Sequence, residues 1–295
     1  MNLSLSRSFP IAKAALAAAV IACVVALTCS LTGCASGGTD SSSADADNTS
    51  ASTDGKTLRV AMELAYPPFE TKDDAGNPEG LAVDFIRDFG AAYGYDVQIE
   101  NTAWDGLIPS LQSDKTDLVI SSMTITDERK QSVDFSDAYA MAQLAILANA
   151  DSGVASIDDL NQPGKKVAVK TGSTGDVYAT KNLTNAEIVR LADESACVTE
   201  VVQGKADGFL YDQLTIYRNH QANPDTTEAV FIPFQDAEEW GIAMKKGNTE
   251  LLDQLNAFIA QSKTDGEFDR LTEKYLADEK KAFDQYGFKW FFDFE

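Results

Sequence analysis

The stretch Ser121–Tyr139 has the sequence SSMTITDERKQSVDFSDAY and follows a short apolar run at 117–120. The β-branched character of that run predicts a buried parallel strand. Thr126 then stands where a helix N-cap is expected, with two acidic residues in the first turn. Arg129 lies on the same turn, so backbone amides, hydroxyls and one guanidinium should meet in a small volume. Such a group can hold a carboxylate, because the planar fork of Arg pairs with two oxygens at once. Local geometry equally allows an ordinary capped helix with a solvated Arg.

The same stretch also carries a family resemblance. SSMTITDER followed by VDFSDAY resembles the signature of family 3 solute-binding proteins, the polar amino-acid receptors of ABC importers. The resemblance implies that Arg129 holds the α-carboxylate of a ligand and that Ser122 and Thr124 donate hydrogen bonds to it. Other matching segments extend the resemblance over roughly residues 57–276.

Two matching segments precede this stretch. The sequence of 60–70 is similar to the family's opening motif, in which the acid and the aromatic, here Glu63 and Tyr66, face the ligand. The sequence of 102–111 is similar to a strand-to-helix segment in which Trp104 would form an apolar or stacking wall for the ligand. A partly buried structural role for Trp104 is the alternative.

Two more matching segments follow it. Residues 165–170 predict a strand ending in Lys170, and the turn TGSTG at 171–175 resembles the family's ligand turn in the second lobe. Its amides and the hydroxyls of Ser173 and Thr174 would present a helix N-terminus to an anion. The resemblance further implies that Asp212 takes the ammonium of the ligand. The alternatives are a capped βα turn and an Asp212 that only caps the next helix.

The implied fold class is α/β, with the two-lobed periplasmic-binding-protein fold and two crossover strands that form a hinge. We expect a signal peptide at residues 1–33 and a lipid-anchored linker at 34–56. The first lobe is expected to comprise 57–145 and 240–295, and the second lobe 146–239.

The front of the chain is typical of a secreted lipoprotein. Arg7 and Lys13 precede an uncharged apolar run at 14–31, which predicts a secretory signal. The run ends in LTGC at 31–34, which resembles a bacterial lipobox with Cys34 as the lipidated N-terminus. An uncleaved membrane anchor is the alternative, since the run is near the spanning length. Either way the remainder lies outside the cytoplasm and is tied to a membrane.

Composition excludes several function classes. Residues 35–56 carry no large apolar side chain and predict a flexible tether. A formal charge of −22 argues against nucleic acid as a partner. After removal of the signal and lipidation of Cys34, Cys197 is the remaining thiol and is expected to be a small buried hydrophobe. With one histidine in the chain, we expect no metal site and no cofactor.

The tail at 277–295 departs from the family pattern. Seven aromatic residues fall between Phe283 and Phe294, interleaved with charges. So many apolar side chains are not expected to stay in water, and we expect the tail to pack onto the first lobe. A partner-docking element is the alternative.

The sequence therefore predicts a receptor, not an enzyme, that closes on one free polar amino acid and delivers it to an ABC permease. Glu63 and Lys170 would meet the tip of the ligand side chain, and an acid beside a base favours glutamine over arginine. We expect a monomer. The alternatives are an enzyme similar to cyclohexadienyl dehydratases, with Glu63 as general acid, and a ligand-sensing module acting in trans.

Overall fold

The computed structural model describes residues 56–286 and 289–294. The expected signal peptide, the lipidation residue Cys34 and the linker up to residue 55 lie outside the described residues. In the described part of the chain the strands are β1 (Lys56–Met62), β2 (Thr71–Lys72), β3 (Pro78–Glu79), β4 (Tyr95–Asn101), β5 (Leu118–Val119), β6 (Asp134–Phe135), β7 (Ala140–Ala142), β8 (Leu144–Asn149), β9 (Lys166–Lys170), β10 (Glu187–Leu191), β11 (Gly208–Asp212), β12 (Thr227–Val230), β13 (Glu238–Trp240) and β14 (Ala243–Met244). The helices are α1 (Leu81–Tyr93), α2 (Leu107–Gln112), α3 (Asp127–Lys130), α4 (Ile157–Leu160), α5 (Thr174–Asn182), α6 (Glu194–Val202), α7 (Gln213–Ala222), α8 (Thr249–Ser262), α9 (Glu267–Tyr275) and α10 (Ala277–Tyr286).

The first sheet has the strand order β4-β1-β5-β14-β6. β1 runs parallel to β4 and β5, whereas β14 is antiparallel to both of its neighbours. The apolar residues at 82, 85, 86 and 89 follow helical spacing and form the buried face of α1, with Phe85, Ile86 and Phe89 fully enclosed. Burial of each such side chain contributes about 1.5–3 kcal/mol. Gly94 then ends α1 in the left-handed conformation, at φ 73°.

The second sheet has the order β10-β9-β11-β8-β12. β9 is parallel to β10 and β11, and β8 is antiparallel to β11 and β12. β8 begins at Leu144, so the expected lobe boundary between residues 145 and 146 falls within this strand. Cys197 is fully buried here as a free thiol, and burial raises its pKa to about 12. Its environment fits the small buried hydrophobe that the sequence predicts.

The chain passes between the two sheets twice, and the two passages pair with each other. β7 lies on the outgoing passage and β13 on the return, and they form an antiparallel pair in which Trp240 faces Ala140. After β13 the chain enters the first sheet as β14. The two sheets are thus joined by a short two-stranded connection, as the expected hinge requires.

The aromatic tail packs on the first sheet's core. Phe291 is fully buried, with its ring centroid 5.2 Å from that of Phe69 and 5.5 Å from that of Trp240. Its carbonyl oxygen accepts a hydrogen bond from the amide of Met141 at 2.7 Å. The packing expected from the sequence is therefore observed for the described part of the tail. Among the described helices, none is both long and apolar enough to cross a membrane.

Candidate ligand-binding site

Strands from both sheets deliver polar residues to one cavity at their carboxyl ends, the edge at which α/β sheets bind ligands. Glu63 follows β1, the segment 121–124 follows β5, the turn 172–174 follows β9, and Asp212 ends β11. The cavity has a volume of about 40 Å³. Eight of the nine predicted ligand-binding residues line it: Glu63, Tyr66, Trp104, Ser122, Thr124, Arg129, Thr174 and Asp212. The ninth, Lys170, contacts two of these.

Arg129 is held in place by carbonyl groups from both sides of the cavity. Its Nη1 donates to the carbonyl oxygen of Thr124 at 2.7 Å, and its Nη2 donates to that of Gly172 at 3.2 Å. The side chain of Thr126 accepts a hydrogen bond from the Arg129 amide at 3.2 Å, which confirms the predicted N-cap. Burial lowers the pKa of Arg129, and the negative charge of Glu238 opposes this effect. A guanidinium always carries its proton in proteins, so the cavity keeps a fixed positive charge.

Ser122 occupies a strained backbone conformation beside a buried carboxyl group. Its φ is 49°, in the left-handed region that non-glycine residues rarely adopt. Its hydroxyl donates to Glu70 Oε2 at 3.2 Å. Burial raises the pKa of Glu70 well above its usual range, and the charge of Glu63 adds to the effect. The cavity wall therefore contains a carboxyl group with a strong tendency to stay protonated.

Thr124 and Thr174 donate to the same carboxylate oxygen. Both hydroxyls bond to Glu238 Oε2, at 2.9 Å from Thr124 and 2.8 Å from Thr174. Thr174 is the first residue of α5, whose N-cap is Ser173. The hydroxyls expected to bind a ligand carboxylate thus lie close together, in contact with a carboxylate of the chain.

Glu63 and Lys170 come together as the sequence predicts, and they do so as a direct ion pair. Their side chains are 14 % and 5 % exposed, so water screens this pair little. The Lys170 ammonium lies 5.1 Å from the ring centroid of Trp104, and the Arg129 guanidinium lies 5.2 Å from it. Cation–π contacts contribute about 0.5–2 kcal/mol each, depending on their exposure. Trp104 thus contacts both cations of the site.

Asp212 both caps a helix and reaches the cavity. Its Oδ1 accepts from the amides of Leu214 at 2.9 Å and Thr215 at 3.1 Å, as the capping alternative predicts. Burial raises the pKa of Asp212, and the Tyr66 hydroxyl together with these amides opposes the shift. The buried hydroxyl of Tyr66 lies near Asp212, but no atom of the described residues meets hydrogen-bond geometry with it. The Tyr66 hydroxyl and the Asp212 carboxyl group thus lie side by side in the cavity wall.

Glu194 is the first residue of α6, and the charge of Asp212 acts on it. Burial and the charge of Asp212 raise its pKa to about 7. Asn219 Nδ2 reaches Glu194 Oε1 only at 3.5 Å, the limit of a hydrogen bond. Near neutral pH this carboxyl group is therefore divided between its charged and neutral forms.

Seven further residues line the cavity. Ser121 and Ser173 lie in the segments that the sequence predicts, whereas sequence reasoning missed the other five: Glu70, Leu144, Tyr211, Glu238 and Trp240. For Glu70 a signal existed, because it closes the same motif that contains Glu63. Tyr66 and Glu70 exchange backbone hydrogen bonds of 2.8 and 2.9 Å, which turns the Glu70 side chain inward. For Glu238 no local signal existed, because its position depends on the pairing of the two passages. Within the described residues, no group of three or more potential ligands is arranged to hold a metal.

Comparison with known proteins gives a consistent result. The family model of the bacterial extracellular solute-binding proteins, family 3, matches residues 58–278. A probable histidine-binding protein of Neisseria gonorrhoeae is 35 % identical over 228 residues, which cover 76 % of this chain and 85 % of that protein.

Solved structures are similar as well. The ancestral amino acid-binding protein AncCDT-1, a precursor of cyclohexadienyl dehydratase, is 38 % identical, with a TM-score of 0.68 over 74 % of this chain and 94 % of that one. An ancestral arginine-binding protein, solved with arginine and with glutamine, is 36 % identical, with a TM-score of 0.69 over 75 % of this chain and 98 % of that one.

Proposed function

The chain belongs to the bacterial extracellular solute-binding proteins of family 3, and from that premise we propose that it is the glutamine receptor of an ABC importer. Its relatives bind free amino acids, and the family is extracytoplasmic. The observation that carries the proposal is the convergence of Arg129, two threonine hydroxyls, Asp212 and the Glu63–Lys170 pair on one cavity.

Each end of a free amino acid has a counterpart in this set. The ligand carboxylate would lie against Arg129, with Thr124, Ser122 and Thr174 nearby as hydroxyl donors. The ammonium would lie against Asp212, next to the buried hydroxyl of Tyr66. Three of the five guanidinium N–H donors of Arg129 are not used by its two carbonyl bonds, which is sufficient for a bidentate contact.

Glutamine is favoured by the Glu63–Lys170 ion pair. An amide inserted between Glu63 and Lys170 would donate from its nitrogen to the carboxylate and accept at its oxygen from the ammonium. Arginine would instead bring a second cation to Lys170. Acidic side chains outnumber basic ones around the cavity, which would favour arginine. Their negative charge is smaller than their number, because the pKa of Glu70 is raised and that of Glu194 is about 7. The ancestral arginine-binding protein was solved with arginine and with glutamine, so a related site accepts glutamine as well as arginine.

The two sheets would form the two lobes, which close on the ligand about the paired passages β7 and β13. Hinge closure is the mechanism that periplasmic binding proteins exemplify. The closed monomer would then present the ligand to a membrane permease while a lipid on Cys34 holds it at the membrane. In a bacterial host the wild type should partition with membranes, whereas Cys34→Ser should remain an unprocessed precursor. A mature N-terminus elsewhere than Cys34 would contradict the anchor.

The function is tested by a thermal-shift panel on the full chain. The panel holds the twenty amino acids with ornithine, citrulline, cystine and prephenate. Glutamine should give the largest shift. A ligand that binds only the folded protein stabilises it by about 2.7 kcal/mol at a hundred times its Kd, which is easily measured. A larger shift with arginine would overturn the glutamine assignment, and no shift with any amino acid would overturn the receptor.

An enzyme on the same fold is the second candidate, and Glu70 is the observation that favours it. Its carboxyl group is 1 % exposed, lines the cavity and has a raised pKa, as a general acid requires. Glu63, expected as the acid in this alternative, is ion-paired with Lys170. Turnover of prephenate by the wild type that is lost in Glu70→Gln would establish a dehydratase. No turnover by the wild type at millimolar prephenate would exclude one.

A further inference from the structure

The carboxylate of Glu238 joins elements of the two sheets. Its Oε2 accepts from Thr124, which follows a strand of the first sheet, and from Thr174, which begins a helix of the second. Its Oε1 accepts from Gln235 Nε2 at 2.7 Å. One charged side chain therefore ties both walls of the cavity together through three hydrogen bonds. Hydrogen bonds to charged groups are the stronger class in proteins.

The surroundings of this carboxylate are those expected for a ligand carboxylate. Two hydroxyls donate to it, and its charge acts on the buried guanidinium of Arg129. Because a hydroxyl has a single proton to donate, neither threonine can donate to Glu238 and to a ligand at the same time.

The space in the cavity also indicates that Glu238 and a ligand carboxylate exclude each other. The cavity is small, about 40 Å³. Glu238 lines this cavity and is itself only half-buried, so its side chain has an outlet. Movement of Glu238 would free both hydroxyls and add room.

We propose that Glu238 is an internal carboxylate that clasps the two lobes and competes with the α-carboxylate of the ligand. This inference rests on the proposed function, and it makes Glu238 a determinant of affinity that opposes binding. A ligand can enter only the fraction of molecules in which the clasp is open, and the apparent Kd is the intrinsic Kd divided by that fraction.

The next residue provides a matched control. Successive side chains of a strand point to opposite faces, so Glu239 turns away from the cavity and is exposed. Glu238→Gln and Glu239→Gln remove the same charge from adjacent positions of β13. Any difference between them therefore reports the contacts of Glu238 and not the net charge of the protein.

The first measurement is calorimetry of the full chain with glutamine, or with whichever amino acid the panel selects. Glu238→Gln should bind roughly tenfold more tightly than wild type, equivalent to about 1.4 kcal/mol, and Glu239→Gln should stay within about twofold. The gain should be absent for L-glutaminamide, which has no α-carboxylate to compete. Unchanged or weaker binding of glutamine by Glu238→Gln would overturn the proposal, as would an equal gain for the amide.

The second measurement needs no ligand. Hydrogen–deuterium exchange of segments 121–126 and 171–176 should be faster in Glu238→Gln than in wild type and unchanged in Glu239→Gln. Equal rates in Glu238→Gln and wild type would refute the clasp. If no amino acid binds any of the proteins, the receptor function fails, and this exchange comparison still decides whether the clasp exists.

Discussion

Arg129→Ala should remove ligand binding and leave the fold intact. The guanidinium makes two hydrogen bonds, to the carbonyl oxygens of Thr124 and Gly172, and has three N–H donors left for a ligand carboxylate. Truncating one partner of a buried, hydrogen-bonded charge pair costs about 2–5 kcal/mol of binding free energy. We therefore expect the Kd to rise roughly thirtyfold to several thousandfold.

The cost in stability should be smaller. The bond to Thr124 is partly buried and the bond to Gly172 is exposed, so the carbonyl groups can accept from water once the guanidinium is gone. Burial of the cation is itself unfavourable. A loss of up to about 2 kcal/mol would lower the melting temperature by roughly 4–8 °C for a domain of this size. Arg129→Lys should fall between Ala and wild type, because it keeps the charge and loses the fork.

The assay is isothermal titration calorimetry with glutamine, or with the ligand that the panel identifies, alongside thermal unfolding of the same samples. Arg87→Ala is the control, since Arg87 is exposed on α1, does not line the cavity and carries the same charge. A loss of less than fivefold in Arg129→Ala would remove Arg129 from the site. A loss of comparable size in Arg87→Ala would show that general electrostatics, not contact, is responsible.

Three further predictions concern stability. Lys170→Met leaves the Glu63 carboxylate unpaired in an enclosed position, so urea unfolding should show a loss of about 3–5 kcal/mol; a loss below about 1 kcal/mol would mean that the pair is effectively solvated. The pKa of Glu70 is raised in the folded protein, so its contribution to stability is fully present below the unfolded pKa and is lost as the pH rises through the folded value. Glu70→Gln should therefore raise the melting temperature at pH 7.5 by roughly 2–8 °C and change it little at pH 4; an equal change at both pH values would contradict the buried, protonated carboxyl. Phe291→Ala should cost about 3–5 kcal/mol because the ring is fully buried, whereas the half-buried Phe294→Ala should cost less than half of that in the same urea titration; equal costs would show that the tail does not pack as a core element.

Local sequence determined the features that depend on neighbouring residues. Thr126 caps α3 and Asp212 caps α7 because each side chain reaches amides two or three residues ahead, within the same turn. The buried face of α1 follows from apolar spacing alone. The ends of the strands were also predictable from local sequence. They define the edge of each sheet at which the polar residues of the cavity gather.

Tertiary structure decided which of those polar residues touch. Glu238 is more than sixty residues from Thr174 and more than a hundred from Thr124. It reaches both only because β13 pairs with β7, which aligns Glu238 with Ala142. A register shift of one residue would have turned Glu239 inward in its place. Likewise, enclosure by the packed core, not the sequence around it, raises the pKa of Glu70. Burial and strand register are properties of the assembled chain, and they decide which charges in this cavity are available to a ligand.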